Sequence, residues 1–333
     1  MSSHRPLRVI IQAARSFLVL IWLISCTEEV NLVSDQSEPV PVVYSLLNPD
    51  SKEQFVRLGR TFQYDQSIAG SAPATDSTVW NLPVDVYAEE WSEGRLVRTF
   101  QFGPWTAPAK DTGFFTTDNL RVYRSEFQPL RLHTYKIYVH FPDDNRLVFG
   151  STLIPAAPVV YDPLDLPGRK ISLQSEVNYT IRWAPPARAG LYQCIFHVAY
   201  QEESPAERTF HEVLFGTDPI FEMTNGSEIS WILAGNRFFQ EMARQIPVNP
   251  DVARKVVNVQ CRFYTGGEEL ALYAAPDLVA SRTSILVNPY TNMENGIGIF
   301  SSLQVITVSN LELSNTTLYE IAHGELTKNL GFR

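Results

Sequence analysis

The stretch YKIYVHF at residues 135–141 decides the fold class that this sequence predicts. Its side chains alternate between two faces, with Tyr135, Ile137, Val139 and Phe141 on one face and Lys136, Tyr138 and His140 on the other. A period of two is typical of a half-buried β-strand. The residues PDDN at 142–145 then predict a turn, and LVF at 147–149 predicts the returning strand. The stretch therefore indicates antiparallel sheet with one buried face.

Similar short apolar runs precede this hairpin. Residues 40–47, 54–62, 84–87 and 96–100 each predict a strand, and SEG at 92–94 predicts the hairpin turn between the last two. Short strands separated by turn signals at this spacing are typical of an antiparallel β-sandwich. We therefore expect an N-terminal β-sandwich over residues 40–157.

The sequence PAAP at 155–158 is interpreted as a domain boundary. Beyond it, YTIRWAPP at 179–186 resembles the fibronectin type III strand that ends in a core tryptophan, and residues 191–200 supply the next strand. The predicted fold is thus mainly β, with two antiparallel β-sandwich (Ig/fibronectin III-like) domains. The second domain is expected over residues 158–333.

The second domain also contains a predicted helical insertion at residues 236–246. Phe238, Phe239 and Met242 recur there at helical spacing, Asn236 is a suitable N-cap and Pro247 ends the helix. We expect this apolar stripe to face the core. Farther on, TGGE at 265–268 predicts a turn between strands at 256–264 and 270–273. Three more strands are expected at 285–287, 297–300 and 303–308.

The N-terminus has the layout of a lipoprotein signal peptide over residues 1–25. Three arginines precede the apolar run FLVLIWLI at 17–24, which is too short to cross a bilayer. LISC at 23–26 predicts cleavage before Cys26 and lipid attachment to its thiol, so a lipid anchor would hold the mature chain on a membrane. A permanent N-terminal anchor helix with an incidental cysteine is the alternative.

An acidic tether is expected at residues 26–39. Its Glu28 and Glu29 directly after Cys26-Thr27 resemble the export signal of Bacteroidetes-type surface lipoproteins. The expected location is therefore the outer membrane, with the chain lipid-anchored and exposed at the cell surface. Attachment at the periplasmic face stays open, because two acidic residues also make a tether soluble.

The charge balance argues against a nucleic-acid partner. The chain carries a net charge of −9, and loss of the three arginines of residues 1–25 makes it −12. Nucleic-acid binding needs a basic patch that replaces counterions.

Catalytic motifs are missing from the sequence. There is no Gly-Lys-Ser/Thr phosphate loop, no Gly-x-Ser-x-Gly elbow and no His-Glu-x-x-His, and we expect neither a cofactor, nor a metal site, nor enzymatic activity. The acidic pairs at 89–90, 143–144, 202–203 and 268–269 are interpreted as solvated surface charge, because carboxylates are mostly exposed.

Four residues are candidates for binding or cross-linking. Trp80 and Trp105 lie among turn residues, where an aromatic face suits carbohydrate or partner recognition, although a tryptophan that covers the core is the alternative. Cys194 and Cys261 fall on the apolar faces of predicted strands. The sequence is compatible with a disulfide between them and with two buried free thiols.

Three stretches together resemble one family: VVYSLLNP at 42–49, FGSTLIP at 149–155 and VNPYTNMENGIGIF at 287–300. They look like Bacteroidetes-type outer-membrane lipoproteins with a domain of unknown function, often encoded beside TonB-dependent receptors. The resemblance implies a non-catalytic binding or accessory subunit of such a receptor and supplies no catalytic residues. The alternatives are a structural or adhesive surface protein without a transport partner and an envelope hydrolase.

Overall fold

A computed structural model describes residues 39–61, 80, 83–106, 121–223, 225–283 and 290–333. Residues Pro39–Arg333 form one compact unit. The predicted signal peptide at 1–25, Cys26 and all but the last residue of the tether at 26–39 lie outside the described residues. The boundary placed at residues 157/158 stays a prediction.

The described residues contain mainly strands and three α-helices. The strands are β1 Pro41–Leu47, β2 Glu53–Arg60, β3 Asp85–Ser92, β4 Arg95–Thr106, β5 Arg121–Glu126, β6 Thr134–Phe141, β7 Arg146–Leu153, β8 Val159–Asp162, β9 Arg169–Ile171, β10 Tyr179–Ala184, β11 Leu191–Glu203, β12 Arg208–Gly216, β13 Ile220–Phe221, β14 Ile229–Leu233, β15 Ala253–Gly266, β16 Met293–Glu294 and β17 Ile297–Leu313. The helices are α1 Gly235–Gln245, α2 Glu268–Thr283 and α3 Asn315–His323, followed by a 3₁₀ helix at Lys328–Leu330.

Most strands belong to one large curved sheet. Its path runs β12-β11-β15-β17-β1-β2-β5-β4-β3-β6-β7-β16, with β13 beside β11 and β9 beside β17. Neighbours are antiparallel except that β17 pairs in parallel with β1 and with β9. A second sheet has the order β14-β10-β8.

The mainly β class is therefore shown, but the structure has one large mixed sheet and a small sheet rather than two clearly separate antiparallel sandwiches. The cause is β17, which joins the two parts of the large sheet. Residues 297–302 of this strand pair with β1, and residues 303–311 pair with β15. Strand lengths and turn signals do not show such a connection, because it depends on pairing between residues about 250 positions apart.

Two clusters of buried side chains lie on the large sheet. One consists mainly of residues from β1 to β7, including Tyr135 and Ile137. The other joins β10, β11 and β15 to helix α1, whose Phe238, Phe239 and Met242 are buried. Trp183 belongs to this second cluster, and its ring centroid lies 5.4 Å from that of Phe263.

Two element assignments made from the sequence are wrong. Residues 270–273 belong to helix α2 rather than to a strand, because alanine and leucine favour helix and Glu268 and Glu269 stabilise its positive N-terminus. Residues 297–300 and 303–308 are one strand, β17. The expected strand at 285–287 lies outside the described residues.

The hairpin between β3 and β4 forms where the sequence predicts it. Glu93 and Gly94 both have positive φ, 50° and 76°, as a tight primed turn requires. The turn pairs Trp91 with Leu96, and a one-residue register shift between Glu90 and Trp91 then places Tyr87 opposite Gln101. None of the helices among the described residues is long and apolar enough to cross a membrane.

Candidate functional site

The tryptophans singled out from the sequence do not form a shared surface. Trp80 is only 7 % exposed, and its ring centroid lies 4.7 Å from that of Phe141 in the core. Trp105 lies in strand β4, half-buried, with its ring centroid 5.0 Å from that of Phe55. Trp80 therefore takes the core-covering position that the sequence left as the alternative, and Trp105 is a strand residue rather than a loop residue.

Cys194 and Cys261 are both buried free thiols. Cys194 lies opposite Phe263 and Cys261 lies opposite Phe196, so the two cysteines are diagonal neighbours on β11 and β15. Diagonal Cα atoms are about 7–8 Å apart, beyond the usual span of a disulfide. Burial, followed by the neighbouring Cys194 thiol, raises the pKa of Cys261 well above its ordinary value. Both thiols are therefore core side chains.

The outer face of β3, β6 and β7 carries an arrangement that the sequence analysis missed. Tyr87 lies opposite Tyr138, and Tyr138 lies opposite Phe149. Gln101 extends this line on the β4 side, and Glu294 extends it on the β16 side. We call Tyr87, Tyr138 and Phe149 the aromatic row. It crosses three adjacent strands on the face opposite the core.

The rings of the aromatic row stack against one another. The centroids of Tyr87 and Tyr138 are 4.8 Å apart with an interplanar angle of 16°, and those of Tyr138 and Phe149 are 6.2 Å apart at 25°. The Tyr138 hydroxyl donates to Glu89 Oε2 at 3.1 Å, and Trp91 Nε1 donates to the same oxygen at 2.8 Å. These contacts hold the row in one conformation without a ligand.

Both phenols of the row remain protonated at neutral pH. Burial, followed by the Glu89 charge, raises the pKa of Tyr138 to about 12. The same two causes raise the pKa of Tyr87. Each hydroxyl is therefore a hydrogen-bond donor as well as an acceptor.

Residues of the aromatic row line two clefts. The larger, about 700 Å³, is lined by Asp85, Tyr87, Gln101, His140, Asn145 and Leu147, and we call it the Asp85 cleft. The smaller, about 380 Å³, is lined by residues that include Lys136, Tyr138, Phe149, Asn292 and Glu294. Leu147 lines both clefts, so they are adjacent on the sheet surface.

The polar groups of the Asp85 cleft interact with one another only weakly. His140 Nδ1 lies 3.6 Å from Asp85 Oδ2, and His140 Nε2 lies 3.5 Å from Asn145 Oδ1. Both distances exceed a good hydrogen bond. Carboxylate, amide, imidazole and phenol groups are thus available to a bound molecule. The part of the chain described here contains no cluster of three or more His, Cys, Asp or Glu suited to a metal ion.

The acidic pair at 89–90 is not solvated surface charge. Glu90 is fully buried, and its carboxylate pairs with Arg98 Nη2 at 2.7 Å and with His133 Nδ1 at 2.6 Å. Glu89 lies on the opposite face, where it holds Trp91 and Tyr138. The two carboxylates are on opposite faces, as the strand period requires. The expectation of exposure failed because paired charges can be buried.

The pair at 268–269 also contains a partly buried carboxylate, that of Glu269. Thr152 Oγ1 donates to Glu269 Oε2 at 2.8 Å, and Ser301 Oγ donates to the same oxygen at 3.3 Å. Burial nevertheless raises the pKa of Glu269, because these two hydroxyl donors only partly replace water.

One sequence signal did point to the aromatic row. The alternation at 135–141 places Tyr138 on the polar face, and Asp85 and Tyr87 alternate in the same way with buried Val86 and Ala88. Aromatic residues at polar-face positions of two strands indicate a surface with a use beyond folding. The missing information was the register that brings them together.

Comparisons with known proteins do not identify a family. No protein-family model and no curated protein matches this chain. Among solved structures, CBD12 from CALX1.2 is similar over 73 % of this chain and 87 % of that chain, with 10 % identity and a TM-score of 0.17. The C-terminal globular domain of an oligosaccharyltransferase from Pyrococcus abyssi is similar over 88 % of this chain and 56 % of that chain, again with 10 % identity and a TM-score of 0.17. TM-scores this low carry no argument about fold or function.

Proposed function

We propose that this chain is a lipid-anchored lipoprotein of the outer membrane, exposed at the cell surface, that binds rather than catalyses. In this proposal it is an accessory subunit of a TonB-dependent uptake receptor. The anchor is Cys26, which follows the apolar run at 17–24 and precedes Glu28 and Glu29. The partner follows from the family resemblance of residues 42–49, 149–155 and 287–300.

The observation that carries the binding function is the outer face of β3, β6 and β7. Aromatic and polar side chains converge there on two adjacent clefts, and the strands that hold them are antiparallel and hydrogen-bonded on both sides. A site built on strands loses little conformational freedom when a ligand binds.

The anchor is tested by replacing the lipidated thiol. Cys26→Ser should release the chain from the membrane fraction into the soluble fraction, because several acyl chains are needed for stable attachment. Cys194→Ala is the matched control, since it removes a buried thiol and should leave the chain in the membrane fraction. Membrane association of Cys26→Ser at the wild-type level would show that the lipoprotein assignment is wrong.

The partner is tested by purifying the full-length chain from detergent-solubilised membranes. A TonB-dependent receptor should co-purify in stoichiometric amount and should be lost when the membranes come from cells that lack the receptor gene. A solitary chain would contradict the receptor partner and would favour a structural or adhesive surface protein.

A further inference from the structure

We infer that the Asp85 cleft, together with the smaller cleft beside it, binds a neutral oligosaccharide. This inference rests on the proposed binding function and specifies the class of ligand. It depends on the side chains that line the two clefts, on their arrangement along the sheet and on their charge.

The chemistry of the Asp85 cleft matches sugar hydroxyls. Asp85 accepts hydrogen bonds, Gln101 and Asn145 both donate and accept, and Tyr87 and His140 can do either. A sugar hydroxyl also donates and accepts, so neighbouring hydroxyls can each pair with these groups. Gln101 is exposed, and the Asp85 side chain is 70 % exposed. Both are free to bind without breaking a strong internal contact.

The lining of the Asp85 cleft argues against a lipid-like ligand there. Leu147 is the one aliphatic side chain among the six described residues that line the Asp85 cleft. A fatty or steroidal ligand is buried chiefly by aliphatic and aromatic walls. The Tyr87 ring instead provides a limited apolar surface, which suits the C–H groups of a sugar ring beside its hydroxyls.

The charge of the two clefts favours a neutral ligand. Asp85 is the carboxylate of the larger cleft, and Lys136 and Glu294 place one charge of each sign in the smaller one. The mature chain is strongly acidic as well. A polyanion such as a sulfated glycan would meet no cluster of positive charge here and would be repelled by the chain as a whole.

The size and the arrangement of the clefts favour more than one sugar unit. The Asp85 cleft measures about 700 Å³ and the adjacent one about 380 Å³, within the range of small-molecule sites. Leu147 borders both, Tyr87 lines the larger cleft, and Tyr138 and Phe149 line the smaller one. An extended chain could therefore place one unit in each cleft and contact the aromatic row in both.

The test uses the full-length chain in detergent on an array of neutral malto-, cello-, xylo- and manno-oligosaccharides, with a heparin fragment as the polyanion. At least one neutral oligosaccharide should bind, and its affinity is then measured by calorimetry. Asp85→Ala combined with Gln101→Ala should lower that affinity at least about tenfold, because two hydrogen bonds are lost, one of them to a charged group. Thr99→Ala is the matched control and should leave the affinity unchanged. Thr99 lies on the same strand and face as Gln101 but does not line the cleft.

Three results would overturn the inference. They are no binding to any neutral oligosaccharide at millimolar concentration, binding only to heparin, and unchanged affinity in the Asp85→Ala/Gln101→Ala variant. The substituted side chains are exposed, so an unchanged thermal unfolding midpoint shows that the variant is folded. If a receptor co-purifies and no glycan binds, the ligand class is wrong and the accessory function stands. If a glycan binds to a chain that purifies alone, the ligand class stands and the receptor partner is wrong.

Discussion

Two parts of the large sheet bury charge in opposite ways. On β3, the buried carboxylate of Glu90 receives two partners that reach in from the surface, Arg98 at 2.7 Å and His133 at 2.6 Å. On β15, the buried guanidinium of Arg254 has one charged partner, Glu202, at 2.6 Å. Arg254 Nη1 also donates to the Leu330 carbonyl at 2.5 Å. The acid therefore has two basic side chains as partners, and the base has one acidic side chain.

This difference determines which substitution leaves a buried charged group without an ionisable partner. Loss of one partner of Glu90 leaves the other in place, whereas loss of Glu202 leaves Arg254 with the Leu330 carbonyl oxygen and the Tyr200 ring, whose centroid lies 6.0 Å from Arg254 Cζ. An uncompensated buried charge is among the most destabilising changes that a single substitution can make. We therefore expect the loss of stability on substitution to depend more on the number of partners than on the burial of the charged group.

The largest effect is expected for Glu202→Ala. This substitution should lower the free energy of unfolding by about 3–5 kcal/mol, because Arg254 stays buried without its carboxylate. Chemical denaturation measures the change. Glu203→Ala is the control, since Glu203 forms an exposed pair with Arg208 that should contribute at most about 1 kcal/mol. Equal effects of the two substitutions would show that the Arg254 pair is as weak as a surface pair.

Arg98→Ala should have a smaller effect, about 1–2 kcal/mol, because His133 remains hydrogen-bonded to Glu90 and Arg98 itself is half-exposed. The double variant Arg98→Ala/His133→Ala should destabilise by more than the sum of the two single changes, since it leaves Glu90 without either partner. Additive effects measured by chemical denaturation would contradict the view that the two partners substitute for each other.

The sequence predicted local elements of this fold better than their connections. The alternation at 135–141 and the turn at Glu93-Gly94 were sufficient for β6 and for the β3–β4 hairpin. Strand β17 was divided in two because Ser301 and Ser302 have polar side chains, yet both are buried. Polarity was misleading there, since their hydroxyls lie against the N-terminus of α2, where Leu270 N–H donates to Ser301 Oγ at 3.1 Å.

The candidate site needed information that no single segment contains. Tyr87, Tyr138 and Phe149 each occupy a polar-face position in its own strand, and only the register across β3, β6 and β7 places them in one row. A shift of one residue would move each ring to the other face. The sequence suggested the tryptophans as binding residues because of their large aromatic faces. Trp80 instead belongs to the buried cluster of the sheet.

Glu269 extends the comparison to a partly buried carboxylate whose described hydrogen-bond donors are the Thr152 and Ser301 hydroxyls and its own backbone N–H rather than a base. Its folded-state pKa is raised by burial above the ordinary value of 4.5, so its contribution to stability is complete below that value and is lost as the pH rises through the folded pKa. Glu269→Gln should therefore raise the thermal unfolding midpoint at pH 7 and leave it unchanged at pH 4. A lower midpoint at pH 7 would show that the hydroxyl donors outweigh desolvation. Glu268→Gln is the control, because Glu268 is the neighbouring exposed carboxylate of the same helical turn.

The smallest effect on stability is expected for the two buried thiols, which carry no charge. Cys194 and Cys261 are free thiols in a diagonal register, so a reductant has no bond to break and should not change the unfolding midpoint. Cys194→Ala should cost about 1 kcal/mol or slightly more, because it removes one buried sulfur and leaves a small cavity. Cys194→Ser should cost more than Cys194→Ala, since it places a hydroxyl in an apolar core. A midpoint that falls by several degrees in reductant would contradict the register argument and would mean that the strands shift enough to join the two sulfurs.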